Sequence, residues 1–437
     1  MLLVYTYKIT PRVNYIMKHI ISRMLNVDIR ITTKVEDFIA HNGPKITYTR
    51  QPLQNEFFIK SHELLFEQGI SDVEITIYDW EGVPCFFPTT ENCALPFDVF
   101  AASFYLLSRY EEYLPHVKDE HGRYPVTESL AYQNNFLEIP VVDLWVKRLK
   151  SALQRRFPEL QLKNKEYQQT SVMDIAVAYA YRKKGVIRTI GATLIDVFKF
   201  KLSKILDRYL VLLGFREDPY DFFFRVNQLH KQYQCEAVFF FLMADYSNYD
   251  KNISVINSSF KTLIKSVADY SIVSLMASYR GFDDLAVLKK ERNRLINTIN
   301  RPVKRVRQRF NRLHIPETYR LMVDAGFNED YTMGYTNEVG FRAGTCSPFY
   351  FYDISFEEQI PILINSFCVQ YTSLYKFKSV SKAEEKLQEL SERVQEVNGD
   401  FNVVFSNEIL QLNQRNSWRD LYIKYLKMNP NYDEQVS

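Results

Sequence analysis

Residues 170–181 have the sequence TSVMDIAVAYAY, an apolar run that carries a single acid, Asp174. Near-continuous apolar runs of this kind are typical of strands that are buried on both faces, as in parallel sheets. A carboxyl group inside such a strand is rare unless it is ion-paired, bound to a metal or catalytic. The stretch therefore predicts a buried strand whose acid has a chemical role.

Similar apolar runs recur in the second part of the chain, and helical patterns lie between them. The strand-like runs are at 236–243, 271–277, 367–374 and 401–407, and the clearest helical patterns are at 218–234 and 381–398. This alternation predicts a parallel sheet or barrel covered by helices. Active sites of such folds lie at the carboxyl ends of the strands. Asp174, Met276 and Ser406 fall at or near such ends.

The first part of the chain also alternates strand and helix patterns, but these patterns are differently spaced. Strand patterns lie at 2–7, 27–33 and 73–80, helical patterns at 13–25 and 95–114, and a loop at 116–129. A polar and charged stretch at 153–169 predicts a boundary between domains. We therefore expect a mixed α/β domain over residues 1–165 and a larger α/β domain over residues 166–437.

Composition excludes several classes of protein. The net charge of +3 is too small to indicate a nucleic-acid partner, and the five cysteines are scattered without a CxxC pair. Neither a disulfide framework nor a zinc ribbon is indicated. The chain has no targeting pattern and no run of 18 apolar residues, so we expect a cytoplasmic protein.

Two basic segments interrupt the pattern, at residues 182–208 and 289–312. One interpretation is a surface for anionic partners such as phosphates, acidic glycans or membrane headgroups. The other is a solvated face whose long side chains cover apolar surface. The sequence leaves both open, including peripheral contact with a membrane.

Several motifs together resemble one family. They are LLSRYEEYLPHVKDEHGRYPVTES (106–129), DIAVAYAYRKKG (174–185), VSLMASYRG (273–281), EDYTMGYTNEVGFRAGTCSPFYFYD (329–353) and VVFSNEIL (403–410). The chain resembles bacterial polysaccharide deacetylases that have a NodB-type catalytic domain and an extra N-terminal domain. The resemblance implies an α/β fold with a distorted (β/α) barrel. It also implies removal of an N-acetyl group from a sugar with the help of zinc or another divalent metal.

That chemistry needs three metal ligands, a carboxylate base and usually a general-acid His. The resemblance makes Asp174 the base and Arg342 the residue that orients the catalytic acid. The ligand and general-acid positions carry other residue types. They are Ala176 at the ligand Asp, Met276 at the first ligand His, Arg280 or Arg309 at the second, and Ser406 at the general-acid His.

None of these replacements is chemically equivalent to the residue it replaces. Alanine has no ligating side chain, methionine is a soft ligand, and arginine is a permanent cation. We therefore expect no bound metal cofactor. We also expect Asp174 to pair with a guanidinium from Arg309, Arg280 or Arg342.

The resemblance then favours a catalytically inactive relative with a binding or regulatory role in bacterial glycan or surface-polysaccharide metabolism, whose partner is a carbohydrate or a component of a glycan pathway. Tyr331, Phe341 and Tyr350 are its candidate groove residues. One alternative is a hydrolase that uses Asp174 without the metal, with Arg309 or Arg342 stabilising an oxyanion. The other is an anionic-polymer or membrane-surface binder that uses the two basic segments. The sequence does not give the glycan or the oligomeric state.

Overall fold

The computed structural model describes residues 1–162, 165–411, 416–430 and 432. Within these residues the protein is a mixed α/β structure with two parallel sheets and one short hairpin. The first sheet has the strand order β2-β1-β3-β4, and all its pairs are parallel. Its strands are β1 (Leu2–Thr6), β2 (Ile29–Thr32), β3 (Lys45–Thr49) and β4 (Phe57–Lys60).

Helices and one hairpin complete the first part of the chain. The helices are α1 (Pro11–Met17), which continues as a π-helix over Lys18–Met24, α2 (Val35–Ala40), α3 (Val99–Leu107), α4 (Leu130–Gln133) and α5 (Val141–Arg156). The hairpin pairs β5 (Tyr78–Trp80) with β6 (Val83–Cys85). α3 is buried along its whole length, which places it at the centre of this part.

The second sheet has nine strands in the order β12-β13-β11-β10-β9-β8-β7-β15-β14, and only β12 runs antiparallel to its neighbour. Its strands are β7 (Gln168–Ile175), β8 (Glu236–Leu242), β9 (Ile272–Ala277), β10 (Arg305–Gln308), β11 (Glu329–Asp330), β12 (Phe349–Asp353), β13 (Glu358–Ile364), β14 (Val369–Gln370) and β15 (Asp400–Ser406). The predicted parallel sheet is thus confirmed.

Helices follow most strands of this sheet, as right-handed crossovers between parallel strands require. They are α6 (Val186–Phe198), α7 (Leu202–Leu212), α8 (Phe223–Gln232), α9 (Ser258–Ala268), α10 (Leu285–Ile299), α11 (Glu317–Asp324), α12 (Val380–Glu396), α13 (Asn407–Leu410) and α14 (Ser417–Lys427). Most pack an apolar stripe on the sheet. α6 and α7 are exceptions, because none of the residues of α6 and only Arg208 and Val211 of α7 are buried.

The expected barrel is not observed as a closed ladder among the described residues, because β12 and β14 remain edge strands. The two ends of the sheet are nevertheless joined by residues 365–368, which connect β13 to β14. Asn365 N donates to Asp330 O beside β11, and Cys368 N donates to Asn402 O in β15. The sheet is therefore curled, and its concave side encloses the space in front of Asp174.

The two parts of the chain share a core and several polar contacts. Arg12 of α1 is buried and bonds through Nε to Glu357 at 2.9 Å, and the Tyr15 hydroxyl donates to Tyr350 O at 2.7 Å. The separate sheets suit the expected division near residue 165, and that boundary stays a prediction.

Several element predictions need correction. The predicted strand at 73–80 is a strand only over Tyr78–Trp80, and the one at 367–374 only over Val369–Gln370, after which the chain turns helical. The helix expected over 95–114 stops at Leu107, because Arg109 adopts a left-handed φ of 54°. The basic segment 289–312, for which no element was predicted, contains the end of α10 and the whole of β10.

Candidate functional site

Asp174 lies one residue before the end of β7, and its side chain pairs with a guanidinium. Arg307 Nε, on β10, donates to Asp174 Oδ1 at 2.9 Å. Strands β8 and β9 lie between these two strands in the sheet. In a flat sheet β7 and β10 would be about 14 Å apart, beyond the reach of the two side chains. The ion pair therefore spans the concave interior of the curled sheet.

Arg307 is fixed by further hydrogen bonds. Only 1% of its side chain is exposed, and it donates to the Tyr331 carbonyl as well as through Nη2 to Asn311 Oδ1 at 2.7 Å and Gln370 Oε1 at 3.2 Å. Asn311 also donates to Gln370. All the guanidinium nitrogens are thus bonded to the protein, so Arg307 orients Asp174 and is not available to a ligand.

Asp174 keeps some access to the interior space. Its side chain is 16% exposed, and within the described residues Oδ2 accepts no hydrogen bond. Burial raises the pKa of Asp174 above its usual value, and Arg307 and then Arg309 oppose that shift. One carboxyl oxygen is thus held by Arg307 while the other can accept a hydrogen bond from a ligand or solvent.

A second carboxyl group, Glu408 at the start of α13, lies within electrostatic reach of Asp174. Burial raises the pKa of Glu408, the Asp174 charge adds to the shift, and Arg309 and Lys184 oppose it. A carboxyl group whose pKa is raised by burial can exchange protons closer to neutral pH than a solvated one.

Arg309 places a permanent cation beside one of the predicted ligand positions. Its Nε donates to Tyr249 O at 2.9 Å and lies 3.3 Å from Asp250 Oδ1. Its Nη1 lies 3.9 Å from Met276 Sδ. The Met276 contact places this guanidinium at the end of β9, and its charge opposes the raised pKa values of both Asp174 and Glu408.

The other replaced positions lie at the same edge of the sheet. Ser406 is the direct ladder partner of Asp174, and its hydroxyl accepts from Glu408 N at 3.2 Å, which caps α13. Ala176 and Met276 are buried together in a small apolar cluster that includes Tyr331. Ala176, Met276, Arg309 and Ser406 therefore lie at the same edge of the sheet as Asp174.

The donor set around Asp174 does not fit a divalent cation. A zinc or similar site needs three nitrogen, sulfur or oxygen ligands, and within the described ranges no group of three His, Cys, Asp or Glu side chains is arranged to hold a metal. The Arg307 and Arg309 guanidinium groups both act on the Asp174 carboxylate. They would repel a dication, so no step is assigned to a metal.

Three of the predicted site residues lie elsewhere. Arg280 is exposed at the turn after β9. Phe341 is buried and its N–H donates to Leu137 O, in the first part of the chain. Tyr350 is on edge strand β12, where Arg23 stacks on its ring at 4.4 Å. Of the three groove candidates only Tyr331 adjoins the Asp174 site. Arg280 is excluded as the partner of Asp174 by its exposure.

Arg342 also has a different partner from the one predicted. It forms a two-point ion pair with Glu112, at 2.9 Å from Nε and 2.7 Å from Nη2. Arg109 bonds both Glu111 and Glu112 in the same buried group. Burial would raise the pKa of Glu112, but Arg342 and Arg109 outweigh it and hold that pKa at about 2. The LSRYEEY and GFRAGT motifs thus join the two parts of the chain.

A rim of polar and aromatic groups lies beside the Asp174 site, on either side of the turn at 309–311. Tyr249 stacks on Tyr279 with ring centres 4.0 Å apart. A cavity of about 190 Å³ is lined by residues of the 119–127 loop, by residues 334–338, and by Asn311 and Arg342. Aromatic faces beside hydrogen-bonding groups suit the stacking of a sugar ring.

Comparison with known proteins adds limited information. Residues 2–158 match the model of a family of unknown function, DUF7033. This match covers less than half of the chain. No curated protein sequence matches the chain. Among solved structures, one described as a "putative polysaccharide deacetylase" from Mycobacterium smegmatis aligns with a TM-score of 0.39 and 10% identity, over 62% of this chain and 88% of that one. A likeness at this level carries no argument about function.

Sequence reasoning missed Arg307, Asn311, Gln370 and Glu408. A signal was present for two of them. Arg307 lies two residues before Arg309 in RQRF, so an extended chain would place both on one face; in the structure β10 ends at Gln308. Glu408 follows Ser406 by two residues in FSNE. No such signal marks Asn311 and Gln370, because only the curl of the sheet brings them to Arg307.

Proposed function

We propose that this protein is a polysaccharide-deacetylase-like protein that binds a carbohydrate, or a component of a bacterial glycan pathway, without metal-dependent hydrolysis. The observation that carries the proposal is the assembly of Asp174 with Ala176, Met276, Arg309 and Ser406 at one edge of the sheet. The motif resemblance assigns these positions to the base, the ligands and the general acid. In this chain the assembled site has a carboxylate and cations in place of a metal cage.

The residues of the site suggest how a sugar is held. Asp174 Oδ2 accepts a hydrogen bond from a sugar hydroxyl or amide, because Oδ1 is already held by Arg307. Arg307 and, more weakly, Arg309 balance the buried negative charge, which favours the ionised form of Asp174. The half-exposed Tyr249 ring provides a face for stacking.

The second candidate is a metal-free hydrolase, and Glu408 is the observation that favours it. Asp174 and Glu408 are two interacting carboxyl groups with raised pKa values. In such a reaction Asp174 takes the proton of an attacking water, Arg309 stabilises the oxyanion, and Glu408 returns a proton to the leaving amine.

Binding and acetate release with N-acetylated oligosaccharides separate the two candidates. The first predicts saturable binding without acetate release, and weaker binding by at least about 10-fold in Asp174→Asn, since one charge-assisted hydrogen bond is lost. Tyr249→Ala also weakens binding, whereas Tyr270→Ala, an exposed tyrosine on another surface, serves as its control. Acetate release that Asp174→Asn abolishes would instead establish the second. Absence of both binding and release removes the proposal.

A further inference from the structure

The hairpin of α6 and α7 carries apolar side chains on its outside. It is inserted between β7 and α8, and Ile187, Phe198 and Phe200 are 88%, 82% and 89% exposed. Other large apolar residues of the hairpin are also exposed: Val186, Ile190, Leu194, Ile195, Leu202, Leu206, Leu213 and Phe215. Protein surfaces in water rarely expose so much apolar area unless it has a partner.

One buried polar contact joins the two helices of this hairpin. Arg208 of α7 is buried, donates to Thr193 Oγ1 of α6 at 2.9 Å and pairs with Asp196. No residue of α6 is buried. An amphipathic helix pair in water would instead place its large apolar residues against the protein, whereas here many of them are exposed.

The charge of the hairpin indicates what covers its apolar side. Residues 182–216 contain nine lysines and arginines and two acids. Both acids are ion-paired with arginines of the same hairpin. Lys199 and Lys201 alternate with Phe198, Phe200 and Leu202 at the turn. Aromatic residues that alternate with lysines match the boundary between acyl chains and anionic headgroups.

The lengths of the two helices decide between crossing a bilayer and lying on it. α6 has 13 residues and α7 has 11, so they are about 20 Å and 17 Å long. The hydrocarbon core is about 30 Å thick. Throughout the described part of the chain, no helix is long and apolar enough to cross a membrane.

We propose that the α6–α7 hairpin docks on the surface of an anionic lipid bilayer. Phe198 and Phe200 insert among the acyl chains, and the lysines of the turn contact the headgroups. This inference goes beyond the proposed function and does not depend on it, because no residue of the Asp174 site takes part.

Vesicle co-sedimentation with the full chain tests the inference. The probes are vesicles of phosphatidylcholine alone and of phosphatidylcholine with roughly 30% phosphatidylglycerol. We expect binding to the anionic vesicles. The Phe198→Asp/Phe200→Asp variant should lose it, and Lys199→Glu/Lys201→Glu should weaken it about 30-fold or more at ~0.1 M salt. Ile256→Asp/Phe356→Asp, which changes two exposed apolar residues outside the hairpin, should bind like the wild type.

A second measurement follows the hairpin itself. The tryptophan fluorescence of the Phe200→Trp variant should shift to shorter wavelength when anionic vesicles are added, because the new indole enters the acyl region. Three results would overturn the proposal. The first is failure of the wild type to bind anionic vesicles. The second is binding by the Phe198→Asp/Phe200→Asp variant that equals that of the wild type. The third is a wild type that is a dimer in solution and a Phe198→Asp/Phe200→Asp variant that is a monomer. The last result would show that a second copy of the chain covers the apolar side.

Discussion

Removal of Arg307 should destabilise the protein in a way that depends on pH. Arg307 and Asp174 are 2.9 Å apart, and their side chains are 1% and 16% exposed. At an effective dielectric constant of about 20, their attraction is about 6 kcal/mol. Desolvation of the two charges cancels most of that gain. Arg307→Met removes the attraction but leaves the buried carboxylate, so the expected loss of unfolding free energy is about 3–5 kcal/mol near neutral pH.

The sign of the pH dependence follows from the carboxyl group. The pKa of Asp174 is already raised by burial, and Arg307 opposes that shift. Without Arg307 the folded-state pKa rises further above its unfolded value of about 3.9. In this variant, protonation of Asp174 stabilises the fold. That stabilisation is fully present below the pKa of Asp174 in the unfolded chain, and it is lost as the pH rises through the pKa of Asp174 in the folded protein. The penalty of Arg307→Met should therefore be at least about 2 kcal/mol smaller at about pH 5 than at about pH 8.

Urea unfolding followed by circular dichroism measures these differences. Lys304→Met is the matched control, because Lys304 is exposed three residues earlier and should change stability by less than about 0.5 kcal/mol. Adding Asp174→Asn to Arg307→Met should recover about 2–3 kcal/mol near neutral pH, since the uncompensated charge is gone. Two results would refute the reasoning. One is a loss of stability in Arg307→Met that is equal at about pH 5 and about pH 8. The other is a double variant whose loss equals the sum of the losses in Arg307→Met and Asp174→Asn.

Two further predictions concern other buried charges. Arg342→Met should cost about 3–5 kcal/mol in urea unfolding, because it leaves Glu112 buried without one of its two arginines; a change below about 1 kcal/mol would contradict the structural role of this pair. Burial lowers the pKa values of His19 and His230 to about 3, so each stays neutral in the fold while its unfolded form gains a proton below about pH 6.5. The free energy of unfolding should therefore decrease as the pH is lowered below about 6.5, by about 2 kcal/mol per histidine at about pH 5. Nuclear magnetic resonance should show that neither imidazole ring gains a proton above about pH 4. A titration midpoint near pH 6.5 for either ring would contradict this prediction.

The parallel sheet was predictable because its strands carry continuous apolar runs, which only a doubly covered sheet can bury. Runs such as 236–243 and 271–277 correspond closely to β8 and β9. Strand β10 was missed because its charged residues, Arg305 and Arg307, are typical of an exposed helix. Each is instead neutralised by a carboxylate, Glu329 and Asp174. Charge in a sequence does not show whether a partner lies far away in the chain.

The same limit explains which site residues were found. The apolar runs placed Asp174, Met276 and Ser406 at strand ends, whereas Ala176 was assigned through the family resemblance; the structure places all four at one edge of the sheet. The partner of Asp174 depends on how strongly the sheet curls, which no local pattern records. Arg342 was misplaced for a related reason, because Glu112 lies 230 residues away in the chain.

Zinc content tests the central claim most directly. The purified wild type, dialysed against zinc and analysed by mass spectrometry, should retain almost none, because Arg309 and Arg307 supply the positive charge at Asp174. The variant Ala176→Asp/Met276→His/Arg309→His/Ser406→His removes one of those cations and adds ligands, and should retain about one zinc per chain. Retention of about one zinc per wild-type chain, lost on Asp174→Asn, would contradict the account.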